Sequence, residues 1–589
     1  MPITKKIQRV LRIAPLVILA LLLSGCSVES DRSDKPSEDW SRGLFLGTTI
    51  IKQPVALQVD ADKHIHLVWC GSVADEGDTL HYIRLNEQGQ IAINEPLTID
   101  APHARHPQLL VDKENQLHLA WLSRVEGQDM LYHALIDPNG QLTTPIPLSR
   151  AKENVSSFQM YLSAEEKMTF IWSSQLEGEP EGIFYFPLHD TSPPTLLIPQ
   201  GIDPFVLVDG SGTTHLTWLY ERGYLSRDLY YATLEGTQIA PAGGQKLADF
   251  EFAESAVYRG PIIGVDSHHI YVIWTIQNLG GGLTPTAAFA YYVSFEPGKP
   301  ALVNPRTIGL PPDAIPSYTD HTSPYGYSEL ALVVPGYSSE FVNAPTTVQR
   351  QESELPVAFS LMVQSTAESM MQLAMAVLSE GELVGYQLAS DTSSASVLST
   401  MVADADASLH LAWLDTAGFR QYDVYYASTA PQVKAWLDRT SPDDVVLRVA
   451  HLIWGIVSGI GLVPIVAIWN LPPIIWLILF YMVSGQEELD QIGAKLGTLV
   501  TIIIYVASKL LFLPGLSAGT PFLYQVSSGT AATLTTAVPV AMLILALGAL
   551  YLYARRSDRA SIFKAYLVFA VTDGLLTVVL YAPQLFNPG

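Results

Sequence analysis

The sequence predicts an all-β propeller of seven blades, with six as the smaller alternative, followed by an all-α transmembrane bundle. Three observations carry this expectation. A unit made of an apolar strand, a polar turn and a second strand ending in tryptophan recurs through 54–428. The composition turns sharply apolar after Asp444. And 48% of the 589 residues are hydrophobic against 15% charged, a balance that suits a chain partly in lipid. A chain of this length needs more than one core.

The amino terminus carries Lys5, Lys6, Arg9 and Arg12, then an apolar run from Ile13 to Leu23 that is too short to cross a bilayer. It ends in Leu23-Ser24-Gly25-Cys26. This string resembles the lipobox of bacterial lipoproteins. The resemblance implies that 1–25 is a signal peptide and that Cys26 is acylated, a lipid anchor on the first mature residue. Cys70, beside Trp69, then has no cysteine left to form an intrachain disulfide with and reads as a small buried core residue. Two cysteines make no disulfide framework. The polar segment 26–42 reads as a flexible tether. A net charge of −24 repels phosphate backbones and argues against nucleic acid as a partner.

The propeller is expected over 43–430. Its repeats run from Val59-Asp60 to His66-Leu67-Val68-Trp69, Val111-Asp112 to His118-Leu119-Ala120-Trp121, and Val208-Asp209 to His215-Leu216-Thr217-Trp218. Two more end at Trp274 and Trp413, and a weaker copy ends at Trp172. A Tyr-rich strand follows most of them, as in Leu80-His81-Tyr82 and Val424-Tyr425-Tyr426. Short β-branched and aromatic strands punctuated by Gly, Asn and Asp turns argue all-β. A period of about 50 residues argues four-stranded blades that must stack to bury their faces. A further unit is expected within 311–395, where Gln372 to Val377 matches the later strands but the tryptophan is missing. The spare strand 44–51 should pair beside 421–428 and close the ring, leaving no open edge.

These Asp-turn-Trp units resemble the sialidase-like propeller superfamily with its Asp-box repeats. The spacing from Asp to Trp is longer here, and the leading serine and the glycine are mostly absent. No Arg-Ile-Pro segment opens the domain, and three arginines with a Tyr/Glu pair cannot be assigned to blade ends. The resemblance therefore implies the fold and not the activity, and the sequence shows no recognisable catalytic constellation, cofactor or metal site. His66, His118, His215 and His410 recur at one position of the repeat, which spreads them around an axis instead of converging them on an ion. Asp60, Asp112, Asp209, Asp266 and Asp404 suit turn-capping. Asp60/Asp62 and Asp404/Asp406 lack the further carboxylates of a calcium shell.

The rhythm breaks over 315–354. Tyr318, Asp320, His321, Tyr325 and Tyr327 there combine aromatic faces with polar groups, the chemistry of sugar binding, on an insertion carried by a rigid scaffold. A degenerate blade with a loop is the plainer reading.

A juxtamembrane linker, 431–445, leads into the helical domain, 446–589. Its apolar runs fall at 447–469, 471–484, 496–513, 531–553 and 562–583. The second is short and carries Pro472-Pro473, so four spans plus a re-entrant or interfacial segment at 471–484 are expected. Arg555, Arg556, Arg559 and Lys564 place the loop between the last two spans in the cytoplasm. Asp573 sits within the last span, where carboxyls are costly and are paired or functional. Its candidate partners are Lys509, Thr533, Thr535 and Thr536. Gly515 to Gly519 matches the nucleophile-elbow string, but between two spans it has no strand-to-helix turn.

Helical spans belong to the cytoplasmic membrane, with the propeller on the extracytoplasmic side. The expected role is a membrane-anchored cell-surface propeller that binds or scaffolds a protein or glycan. The alternatives are a sialidase-like glycan hydrolase with unaligned catalytic residues, or the sensor of a small transporter or signalling unit.

Overall fold

The structure, a computed structural model, describes residues 32–586 apart from 34, 74–76, 98–102, 177–180, 189–192, 237, 241–242, 280–284, 309–342, 348–353, 365–368, 443, 445, 447–462, 513–527 and 558. Cys26, Tyr318, Asp320, His321, Tyr325 and Tyr327 lie outside the described residues. The chain divides into two compact units, the first being Asp31–Arg439.

That first unit is a seven-bladed β-propeller. Its antiparallel sheets occupy 56–97, 105–147, 153–199, 201–251, 256–308 and 343–388, and a seventh combines 396–428 with the strand Leu44–Thr49. The innermost strands are Ala56–Val59, Arg105–Val111, Glu153–Leu162, Gly201–Val208, Ala256–Val265, Asn343–Thr347 and Ser396–Ala403, and each neighbours the next around a closed ring. Gln108 stitches two of them: its side-chain amide donates to Phe158 O at 2.8 Å and accepts from Met160 N at 3.0 Å. Gln159 repeats the stitch on Val206.

In five blades the second strand buries its tryptophan against the Tyr or Phe directly opposite on the third strand. Trp121 pairs with Tyr132, Trp172 with Phe184, Trp218 with Tyr230, Trp274 with Tyr291 and Trp413 with Tyr425, with ring centroids 5.6–6.2 Å apart. Such stacked pairs add to the area they remove from water. The sixth blade, 343–388, falls inside the interval where a Trp-less unit was expected. Phe359, 2% exposed, takes the tryptophan's place there, one position after the Thr346↔Ala358 pairing.

The ring closes as expected. Leu44 pairs with Tyr426 and Thr49 with Tyr422, so the first strand becomes the outermost strand of the last blade. The segment read as a tether differs from expectation over 32–42, which is built into the wheel. Trp40 is fully buried in the core it shares with Trp413, and Arg32 donates to the carbonyls of Leu437 and Arg439, both at 3.1 Å. The linker region likewise begins with helix α1 (Pro431–Leu437), whose Val433 and Leu437 sit in the core behind the closing strand. Polar composition argued for a tether, but the side-chain hydrogen bonds of Arg32, Ser33, Ser41 and Arg42 and one buried tryptophan outweigh it.

An Asp–His–Tyr relay braces the blades. His215, 2% exposed, joins Asp209 Oδ2 at 3.1 Å to the Tyr231 hydroxyl at 2.7 Å. His66 joins Asp60 to Tyr82 and His410 joins Asp404 to Tyr426 in the same way, while His118 joins Asp112 to His133. In the fifth blade Tyr271 donates straight to Asp266. Each aspartate also accepts a turn N–H, as Asp209 does from Thr213 at 2.8 Å. Burial holds His215 below its ordinary value, against the pull of Asp209. The unfolded chain therefore takes up a proton that the wheel refuses, and stability falls as pH drops below about 6.5. Replacing His215 with Ala strands the buried Tyr231 hydroxyl and removes a bond from half-buried Asp209, and should cost about 1–3 kcal/mol in urea unfolding. A loss within a few tenths of a kcal/mol would remove the relay from the stability argument.

The second unit is helical: α2 (Val463–Ser484), α3 (Ile492–Phe512), α4 (Ser528–Arg556) and α5 (Ile562–Phe586). Among the described residues, three of these helices are long and apolar enough to cross a membrane: Val466–Ser484, Ile492–Leu511 and Ala537–Arg556. The segment 471–484 is not a separate short element. It is the carboxyl-terminal part of α2, which runs through Pro472 and Pro473.

Candidate functional site

The inner strands share a defect that points to a site. Bulges interrupt the pairing between Arg105 and Gln108, Ile202 and Phe205, Arg259 and Ile262, and Val397 and Thr400. The backbone enters the left-handed region there at His106 (φ 49°), Asp203 (φ 47°), Gly260 (φ 90°) and Leu398 (φ 54°). Strain of this kind in non-glycine residues re-aims side chains and gathers at binding and catalytic sites. Because the bulges occupy equivalent places on strands around one axis, their side chains collect at one mouth of the wheel.

Lys52, His106 and Arg259 gather there. Lys52 leads into the first blade, His106 stands in the second and Arg259 in the fifth, yet the charge of Arg259 acts on both of the others. Blades one and five are not neighbours in a seven-membered ring, so these side chains face each other across its opening. All three are open to water, while surrounding protein strips enough hydration to lower Lys52 and Arg259 below their ordinary values. Access to water combined with protein on every side describes the wall of a funnel. His106 is pushed down by burial first and then by Arg105 and Arg259, so it serves as a neutral donor–acceptor at neutral pH. Arg105 is neutralised by Asp129. Among the described residues neither Lys52 nor Arg259 has a carboxylate partner.

Lys52 also lines a cleft of about 620 Å³ with Ile50, Phe419, Arg420, Gln421 and Tyr422. Phe419 is 90% exposed and carries the Arg420 guanidinium 5.7 Å from its ring centroid. The cleft thus offers two cations, two aromatic rings and no carboxylate.

Acidic groups stand on the third and fourth blades, the fourth being next to the blade of Arg259. Asp203 accepts from the Tyr258 hydroxyl at 2.6 Å, and burial raises the carboxyl above its ordinary value. Glu181, bonded by Ser156 at 3.1 Å, is raised first by burial and then by the nearby Asp203.

Asp60, Asp62 and His64 lie close enough together to suggest a cation. Asp60 is already engaged by His64 and His66, and Asp62 by Asn115 at 3.1 Å. Asp573 lies against Lys509 and Tyr505, whereas the side chains of Thr533, Thr535 and Thr536 fall outside the described residues. The funnel residues were missed in the sequence, although a signal exists. Proline heads several inner strands: Lys52-Gln53-Pro54, Arg105-His106-Pro107, Asp203-Pro204 and Arg259-Gly260-Pro261. Inside a sheet proline is confined to edges and bulges, so its recurrence marks the bulged mouth.

No family model matches the chain, and no curated protein matches it. Among solved structures it is similar to an ulvan lyase, at 9% identity and a TM-score of 0.41 over 64% of this chain and 94% of the other. It is also similar to an endo-arabinase from Bacteroides thetaiotaomicron, at 10% identity and a TM-score of 0.28 over 65% and 96%. A variant of the NanB sialidase from Streptococcus pneumoniae matches at 9% identity and a TM-score of 0.31 over 64% and 68%. At such identity and fit no substrate and no catalytic residue transfers.

Proposed function

We propose that the propeller is a cell-surface receptor for an acidic saccharide, seated between the funnel mouth and the adjoining cleft. The observation that carries this reading is a set of cations without a carboxylate partner among the described residues: Lys52 and Arg420 beside Phe419 and Tyr422, and Arg259 acting on Lys52. Carboxylate or sulfate groups of the ligand meet the cations, and sugar faces stack on the rings. The chain is held at the cytoplasmic membrane by lipid on Cys26 and by the helices, with four crossings, the Arg555-to-Lys564 loop inside and the propeller outside. Arg259→Ala and Lys52→Ala should each weaken binding of acidic oligosaccharides about tenfold or more in calorimetry at low salt, with neutral oligosaccharides binding far less throughout. Equal binding of neutral and acidic sugars, or no binding at all, overturns the reading.

A second reading has one observation behind it. A carboxyl held toward its protonated form, as Asp203 is, is what a general acid needs. The wheel would then cleave the saccharide it binds, and release of new chain ends that disappears in Asp203→Asn, with binding intact, would establish it.

A further inference from the structure

The helix α3 is turned inside out. Thr498, Thr501, Tyr505, Ser508 and Lys509 recur at steps of three and four residues, which sets them on one face, and every one is at most 9% exposed. Its outward residues are apolar: Leu496, Leu499, Ile503 and Leu510 are 53–63% exposed. A helix that hides its hydroxyls and shows its leucines is suited to lipid outside and to a polar lane inside.

The lane converges on an ion pair. Lys509 Nζ donates to Asp573 Oδ2 on α5 at 2.5 Å and to Thr577 Oγ1 at 2.7 Å, and the Tyr505 hydroxyl donates to the same Asp573 oxygen at 2.7 Å. Trp469 of α2 lays its ring 6.0 Å from the ammonium. Higher on α5, the Tyr566 hydroxyl donates to Asn470 of α2 at 2.6 Å, and its ring meets that of Tyr505 at 6.3 Å. On the other side α4 contributes buried Met542 and Ala546, and among the described residues it places no titratable group against the pair.

Two features go beyond what a clamp between helices requires. Ser508 Oγ is buried and, among the described residues, has no hydrogen-bond partner. Thr498 and Thr501 spend their protons on their own helix, at Ala494 O and Gly497 O, which leaves their lone pairs as acceptors along the buried face. Unfilled hydrogen-bonding capacity beside a buried carboxylate is what hydronium or water-borne protons use.

We propose that the Lys509–Asp573 pair is a proton-binding site served by this lane. The proton arrives from water and adds to the Asp573 carboxylate, giving the neutral acid. Lys509 keeps its own proton and its bond to Thr577, and the Trp469 ring face receives the charge that its partner no longer balances. No other reactant is needed. The reading is independent of what the propeller binds.

The test uses the purified full-length protein in lipid nanodiscs and dicyclohexylcarbodiimide, a membrane-soluble reagent that reacts with carboxyls in the acid form. The acid proton passes to a carbodiimide nitrogen and the carboxylate oxygen bonds to the central carbon; the acyl group then moves from that oxygen to a nitrogen, and the resulting N-acylurea is located by peptide mass spectrometry. Labelling of Asp573 should rise about fivefold or more from pH 8.5 to pH 6. It should also increase at pH 8.5 in Lys509→Met, because removing the cation favours the neutral acid. A permanent ionic clamp gives no label at any pH, and an internal shift of the lysine proton gives label that ignores pH. Either result overturns the proposal, as does a Lys509→Met variant that labels like the parent.

Discussion

A propeller fragment that begins at residue 50 is expected to lose its cooperative melt, whereas one spanning 31–439 should unfold in a single transition. The physical reason is the closure. Without Leu44–Thr49 the strand Tyr422–Ser428 becomes an open edge, and Leu44 and Leu46, each 5% exposed, leave the core they share with Leu57, Leu414 and Tyr426. Each such side chain contributes roughly 1.5–3 kcal/mol when buried, and an unpaired edge recruits other chains. Trp40 goes as well, and with it the hydrogen bonds that Arg32 and Arg42 make to Leu437, Asp438 and Arg439. Circular dichroism melts and size-exclusion chromatography of the two fragments read the outcome. A truncated wheel that melts cooperatively within a few degrees of the longer one would show that the seventh blade needs no closing strand.

A single substitution should stabilise the wheel in alkaline solution: Asp415→Asn. Asp415 is 1% exposed and accepts from the Ser396 hydroxyl and from Trp413 Nε1, both at 2.7 Å. Burial lifts its carboxyl from the ordinary 3.8 to about 6, against the hydrogen bonds of Ser396, Thr392 and Trp413, with the charge of Asp423 adding to the rise. A raised carboxyl means that the folded state holds its proton where the unfolded state has released it. Stability therefore falls as pH climbs from about 4 to about 6 and stays reduced above that. Asparagine keeps the accepting oxygen and carries no charge. At about 1.4 kcal/mol per pH unit, the variant should gain about 2–3 kcal/mol at pH 8 and almost nothing near pH 4. Urea unfolding at both values reads the difference. A gap that does not change with pH would place the effect in packing rather than in ionisation.

The parts of this fold that the sequence displays are the ones held together locally. An aspartate ending the first strand, a histidine or tyrosine opening the second and a tryptophan closing it all act within one blade, over fewer than about 30 residues, so the repeat shows them in a single reading. The sixth blade was harder to read because Phe359 replaces the marker tryptophan, and a smaller ring serves where Ala374 lies opposite. The belt at 32–42 was misread because its composition is polar, while its order comes from partners near residue 438. The funnel was missed for the same reason on a larger scale. Lys52, His106 and Arg259 come from three blades, and no local pattern links residues that only ring closure brings to one opening. Asp573 and Lys509 could be picked out singly, because a charge inside an apolar run stands out, but the hydroxyl-lined face joining them appears only when α3 is seen with its polar side inward.

The fastening of Arg32 to Leu437 and Arg439 also has a mechanical consequence. Chain enters and leaves the wheel at one point, so any tension pulling on both ends is taken up there, by the guanidinium, by Asp438 on the Arg42 N–H, and by the ladder between Leu44–Thr49 and Tyr422–Ser428 loaded in shear. The other six blades then feel no stretch. Load on the two flanking segments thus leaves the shape of the funnel unchanged.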